Sequence, residues 1–262
     1  MTAWLFGEHH APTAGEINRF VMAAGLALWN AGFLWLAYVA LEPFGRRRWP
    51  NLLIAWNRVL AGCFRDPLVG RDLLAGCVMG VVWVLLNFLR YPAASWSGAR
   101  PTEPQAGVFL GTMYLLSGAH ATVAGVSGLL NSSVFWGFGE LFWLFLLRVL
   151  LKSTWAAATV FTVLMSAGYY SFGADSPLIN GAFTVLLFGA TAFVTLRFGP
   201  VAVAAQFFFG CVLMGFPITT QLSTWYSGIG LTGLGLLLAL TLYAFYTSLG
   251  GQPLFGRAIL EE

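Results

Sequence analysis

Charge is what this sequence has least of. Only 9% of its residues are Asp, Glu, Lys or Arg, against 58% hydrophobic ones. An average soluble domain is about 25% charged and about 45–50% apolar. Ten acidic and thirteen basic side chains cannot cover the surface of a 262-residue soluble fold, so lipid is the expected solvent. Three cysteines, Cys63, Cys77 and Cys211, are too few and too scattered for a disulfide framework or a CxxC metal site. They read as small apolar fillers. No long basic tract lies outside residues 46–71, which excludes a nucleic-acid footprint. The N-terminus lacks a basic n-region, and Glu8, His9, His10 and Glu16 interrupt its apolar run. It therefore does not read as a secretory signal peptide. Insertion is expected to rely on an internal span, or on a segment outside this chain.

What is abundant is apolar sequence, with 11 Trp and 23 Phe. Aromatic rings suit the membrane–water boundary, because the ring is apolar and its edge is wet. A bilayer core needs about 20 mainly apolar residues per helix. Spans are expected at Ile17–Leu41, Leu73–Leu89, Val134–Leu151, Trp155–Phe172, Ala182–Leu196, Val201–Thr220 and Gly228–Leu249. Residues 107–130, richer in Gly, Ser and His, read as a short re-entrant or interfacial helix. The fold class is thus an all-α polytopic bundle, one transmembrane domain over residues 1–262. It has about seven spans, a loop over residues 43–72, and an external loop with the extra helix over 91–130. Pro43 is expected to end the first span. Pro92, Pro101 and Pro104 mark Tyr91–Gln105 as external loop, and Asp175-Ser176-Pro177 reads as an external turn.

Seven spans put Arg46, Arg47, Arg48, Arg58, Arg65, Arg71, Arg148, Lys152, Arg197 and Arg257 on one side, and Arg19, Arg90 and Arg100 on the other. That split is ten against three. A full span at 107–130 would change it to six against seven. Lys/Arg excess marks the cytoplasm. The expected topology is N-terminus outside and C-terminus inside.

The densest charge lies between Glu42 and Asp72. Arg46, Arg47, Arg48 and Arg58 are expected to meet anionic lipid headgroups, at about 1 kcal/mol each. Leu52, Leu53, Trp56, Val59 and Leu60 recur at helical spacing, so this piece can lie in the interface with an apolar face down. Asn57 and Arg58 would face water or headgroups. Arg65-Asp66-Pro67 reads as a turn, and Asp72 as the N-cap of the second span.

The run Tyr38, Ala40, Leu41, Glu42, Pro43, then Arg46-Arg47-Arg48-Trp49-Pro50, then Leu53, Ile54, Trp56, Arg58, Leu60, Ala61, Gly62 and Arg65-Asp66-Pro67-Leu68-Val69-Gly70-Arg71-Asp72 resembles a known pattern. It is similar to the membrane-embedded C-terminal region of bacterial, Acidobacteria-type, eukaryotic-like serine/threonine protein kinases. Cys63 stands where that pattern has a basic residue, and Val59 where it has leucine. Outside the loop the likeness is only in hydropathy and order. The resemblance implies a cytoplasmic loop, an external N-terminus, and partnership with a kinase domain or other signalling protein. The chain itself has no His-Arg-Asp loop, no Asp-Phe-Gly site and no Val-Ala-Ile-Lys strand. Gly228, Gly230 and Gly233 form a Gly-x-Gly-x-x-Gly string, but it opens an apolar helix and reads as helix packing.

Outside that loop, two residues stand out as a candidate ligand or proton site. Glu140 is a carboxylate inside an apolar run, near Trp136 and Trp143, and intramembrane acids are rare and often functional. His120 lies in the small-residue stretch Ser117–Thr122. A lone histidine there is more often a packing group. Glu8, His9 and His10 could hold a metal, although adjacent side chains diverge on a helix. Asn30, Asn87 and Gln206 are expected to hydrogen-bond between helices. No cofactor or metal site is expected, and no nucleophile–base pair is visible. The leading expectation is a non-catalytic anchor or sensor module. Alternatives are a small-molecule or ion transporter using Glu140 and His120, for which no inverted repeat is found, and an intramembrane enzyme.

Overall fold

The structure is a computed structural model. It describes Leu5, residues 14–49, 52–96, Gly98, 113–170 and 177–252. Eight helices carry the fold: α1 (Ala14–Arg48), α2 (Ile54–Leu60), α3 (Pro67–Trp96), α4 (Ala119–Leu151), α5 (Thr154–Tyr170), α6 (Pro177–Phe198), α7 (Pro200–Gly215) and α8 (Ser227–Ser248). No strand occurs among the described residues.

Five helices contain stretches long and apolar enough to cross a membrane: Gly15–Ala40, Pro67–Ala93, Ala119–Leu151, Leu178–Phe198 and Ser227–Ser248. α5 and α7 are shorter, at 17 and 16 residues. At 1.5 Å per residue they reach about 24–26 Å, against a hydrocarbon core of about 30 Å. Large apolar side chains ring the outside, among them Trp29, Trp35, Trp155 (85% exposed) and Leu178. In water such a belt would drive aggregation; in lipid it is the solvated surface.

α7 is the hub. It packs most extensively on α3, then on α4. α3 also meets α8 and α6, while α5 joins α4 and α6. The α3–α7 contact is made by small residues. Gly76 and Gly80 form a Gly-x-x-x-Gly pair facing Ala202, Ala205, Gln206 and Phe209. Without a hydrophobic force between helices in lipid, such close approach supplies van der Waals contact. The two helices run parallel, since Gly76 meets Ala202 and Gly80 meets Gln206 and Phe209. α1 is peripheral. It leans on α4 through Phe33 and Phe135, whose ring centroids are 4.9 Å apart.

Several expected boundaries move. Residues 119–130 are not a separate re-entrant helix; they form the first third of α4, a continuous helix of 33 residues. Residues 99–112 lie outside the described ones. At about 50 Å, α4 outruns the hydrocarbon core and must tilt or protrude. Pro43 does not stop α1, which continues to Arg48, and Pro92 sits inside α3, which continues to Trp96. A proline frees one carbonyl a turn earlier, and near a span end water can satisfy it. α7 stops at Gly215, short of Thr220, because Phe216 is extended and precedes Pro217. Asp72 is not an N-cap, since α3 begins five residues before it. The cap is Asp66: its carbonyl accepts the Gly70 N–H at 3.1 Å, and its Oδ1 accepts the Leu68 N–H at 2.9 Å. Pro67 then occupies the first helical position, where its missing N–H is harmless.

The glycine string finds its use in packing. A Cβ on Gly230 would lie 2.5 Å from the Pro217 carbonyl oxygen, and one on Gly233 would lie 2.6 Å from the Phe216 ring. Two of the three expected amides bridge helices: the Gln206 side-chain amide donates to Thr191 Oγ1 at 2.8 Å, and Asn87 Oδ1 accepts the Tyr169 hydroxyl at 3.3 Å. Asn30 is half-buried in α1.

Candidate functional site

The arginine-rich stretch is built into one end of the bundle. Leu52, Leu53 and Ala55 are buried. Leu52 and Leu53 pack with Leu141 of α4, and Ala55 packs with Val69 of α3 and Val201 of α7. Trp56 meets Phe138 edge-on at 4.4 Å, and Trp49 meets Phe145 at 6.5 Å. The Tyr243 hydroxyl of α8 donates to the Phe64 carbonyl at 2.7 Å, and that of Tyr38 in α1 donates to Asn57 Oδ1 at 3.2 Å. Gly199, in the α6–α7 turn, lies against the Leu52 carbonyl. The apolar face expected for α2 is therefore real, with Leu60 the exception, since it is exposed. Asn57 turns to α1 instead of facing only water or headgroups.

The same end gathers the start of α3, the end of α4, the α6–α7 turn and the end of α8. Gly70 abuts Thr247 and Ser248, and Arg71 and Arg197 lie 5.8 Å and 5.9 Å from the Phe198 ring. The described segments that carry Arg58, Arg65, Arg71, Arg148 and Arg197 meet at one end of the bundle, and Arg257 lies outside the described residues.

Arg58, whose side chain is 39% exposed, has a partner within the protein. It forms an ion pair with Asp66. The Arg58 guanidinium holds the Asp66 carboxyl below the ordinary carboxylate range, and the Leu68 N–H adds to this. A lowered pKa contributes stability that is present above the unfolded-state value and is lost as pH falls through the folded-state one. Asp66→Ala is expected to cost about 1–2 kcal/mol at neutral pH, and Asp66→Asn, which keeps a cap, less. Thermal unfolding in detergent should show the gap between wild type and the alanine variant closing in acid. The side chains of Arg46, Arg47 and Arg48 lie outside the described ones, although their backbone completes α1.

Glu140 and His120 do not form one site. Both are on α4, twenty residues apart, which is about 30 Å along a helix. His120 is exposed in the first turn. Glu140 is 5% exposed, and its Oε2 has no hydrogen-bond partner. Its same-face neighbours locate it. A Cβ on Gly137 would lie 3.2 Å from the Pro200 carbonyl, and Leu144 packs on Phe161 and Ala192. The carboxyl therefore sits on α4 between its contacts with the start of α7 and those with the middle of α5. Glu8, His9 and His10 lie outside the described residues. Among the described residues, no group of three or more His, Cys, Asp or Glu could hold a metal.

Sequence reasoning treated Arg90 only as an outer charge. The structure buries it to 8% exposure at the far end of α3. Its guanidinium lies 5.3 Å from the Tyr91 ring and 5.7 Å from that of Tyr169. Tyr169 in turn bonds Asn87. The π faces stand in for a carboxylate; among the described residues none pairs with it. The legible signal was Asn87 and Arg90 three residues apart on an apolar helix, which places them on one face. No known protein family, no curated protein and no solved structure matches this chain.

Proposed function

We propose that the chain is a non-catalytic module of a bacterial cytoplasmic membrane, crossing it seven times with the N-terminus outside. It anchors a cytoplasmic signalling partner of the serine/threonine kinase kind and relays signals to it. The observation that carries this reading is how the arginine-bearing stretch is fastened. A tether needs only a span and a flexible loop. Here the segment from Trp49 to Asp66 is fixed by contacts with α1, α3, α4, α7 and α8. A shift of any of these helices therefore reaches the charged surface. This is the mechanical requirement for relay through a two-state element.

Cys63 supplies the orientation test. It is exposed in the loop, whereas Cys77 is buried and Cys211 half-buried. In intact cells a membrane-impermeant maleimide is expected to leave the chain unlabelled; permeabilised cells should label it, and Cys63→Ser should abolish the signal. Labelling of Cys63 in intact cells would reverse the topology. The signalling role is read separately, from serine and threonine phosphorylation in cells lacking the chain. Wild type should restore the pattern, and a variant carrying Arg46→Gln, Arg47→Gln and Arg48→Gln should not. Phosphorylation unchanged by deletion would sink the proposal.

A further inference from the structure

Two depressions meet at Phe64. One is an open cup of about 500 Å3 formed by residues 62–67, among them Arg65 and Asp66. The other, of about 270 Å3, runs beneath α2 between α3, α4, α7 and α8. Trp56 and Val59 roof it, and Val134, Ala204 and Leu240 line its walls. Its two hydroxyls are already used: Ser133 donates to the Leu129 carbonyl, and Tyr243 donates to that of Phe64. The groove thus has no free hydroxyl donor to offer a polar ligand. It is smaller than the roughly 300–1,000 Å3 usual for drug-sized ligands, which suits a chain better than a ring system.

The groove opens sideways. α4 packs on α7 and α8 packs mainly on α3, and α4 and α8 do not pack closely against one another. Leu130, 49% exposed, and Tyr243 stand at the mouth, toward lipid. At its polar end the charges do not cancel. Arg58 is neutralised by Asp66, whereas Arg65 is exposed and has no carboxylate partner among the described residues.

We propose that this compound site holds one anionic phospholipid of the surrounding bilayer, with an acyl chain in the groove under α2 and the phosphate at Arg65. The proposal goes beyond the anchoring role and does not depend on it. A tail entering from the bilayer exchanges one hydrocarbon environment for another, so apolar burial selects little. Selection rests on the charge at the mouth. One interfacial arginine corresponds to a preference of about fivefold for an anionic over a zwitterionic headgroup.

Native mass spectrometry of the purified full chain from mixed phosphatidylglycerol and phosphatidylcholine tests this. Wild type should retain one lipid, with phosphatidylglycerol preferred about fivefold. Arg65→Gln should keep the lipid and lose the preference. Val134→Phe, which fills the groove from α4, should lose the lipid. If that variant fails to fold, Leu130→Trp, at the exposed mouth, should give the same loss. Leu238→Trp, on the exposed face of α8, should behave as wild type. Retention unchanged in the folded groove variants overturns the proposal, as does a wild type that shows no headgroup preference. A wild type that keeps no lipid, or fills the groove by pairing with a second copy, overturns it equally.

Discussion

Gly199→Ala is expected to lower stability by about 3–5 kcal/mol, the sum of backbone strain and overpacking. Gly199 has φ +82° and ψ −169°, a region essentially restricted to glycine. A Cβ there would also lie 2.2 Å from the Leu52 carbonyl oxygen, a backbone atom that cannot swing away. The two costs are separate, one local to the turn and one between the turn and the loop, and they should add. Unfolding in detergent, followed by helical circular dichroism, measures the sum. A second signature distinguishes the loop contact from general damage: Cys63, already exposed, should keep its maleimide reactivity, and Trp49 and Trp56 fluorescence should shift to the red as the loop lifts. A variant within 1 kcal/mol of wild type would mean that the loop does not rest on the α6–α7 turn.

Gly76→Val should cost about 3 kcal/mol, at the upper end of ordinary overpacking. Its Cβ would stand 2.2 Å from the Ala202 oxygen and 2.6 Å from the Ala205 Cβ. Both atoms belong to α7, so relief requires the two central helices to part. Gly80, one turn on, is also close, with the Phe209 Cβ at 2.7 Å, and separation at one turn loosens the other. Gly139→Ala is the matched control. Nothing lies within 4 Å of a Cβ there, and alanine in a helix interior should stabilise by about 0.5–1 kcal/mol. If the two substitutions behave alike, the α3–α7 contact is not what these glycines serve.

Much of this was legible before any coordinates. Each expected apolar run lies at least largely within a helix, because lipid leaves a backbone no other way to pair its own groups outside a closed barrel. The ends were less legible. Pro43 and Pro92 read as stops, yet the helices run through them, because a single lost backbone bond is cheap at a wet boundary. Asp66-Pro67 carries the cap signal openly, an acceptor side chain followed by a proline suited to the first turn, and the apolar run beginning at Leu73 masks it by making Asp72 look like the helix start. The extra helix at 107–130 failed for a different reason. Composition changes along α4, from small and polar to strongly apolar, while the backbone remains one helix. Composition reports environment, and α4 passes through several.

The candidate site divides in the same way. Glu140 and His120 each stand out in the sequence by residue type, which gives no measure of their separation. The helix that carries both settles that distance at about 30 Å. The ion pair of Arg58 is not legible in the sequence, because its partner lies eight residues away across a turn and no periodicity marks it. Arg90 was passed over because burial, which makes a charge costly, is a property of neighbours.

Composition pointed to lipid, and the order of residues along the chain, in long apolar runs and one arginine-rich stretch, pointed to helices and to a single charged segment. These follow from transfer energies that depend on residue type and need no knowledge of contacts. Only the tertiary structure decided that the arginine-bearing stretch is a fixed cap on the bundle, held by Leu52 on Gly199, Trp56 on Phe138 and Tyr243 on Phe64. Those pairs are separated by as many as 179 residues. Close packing depends on shape at each meeting point, and no local pattern in a sequence records it.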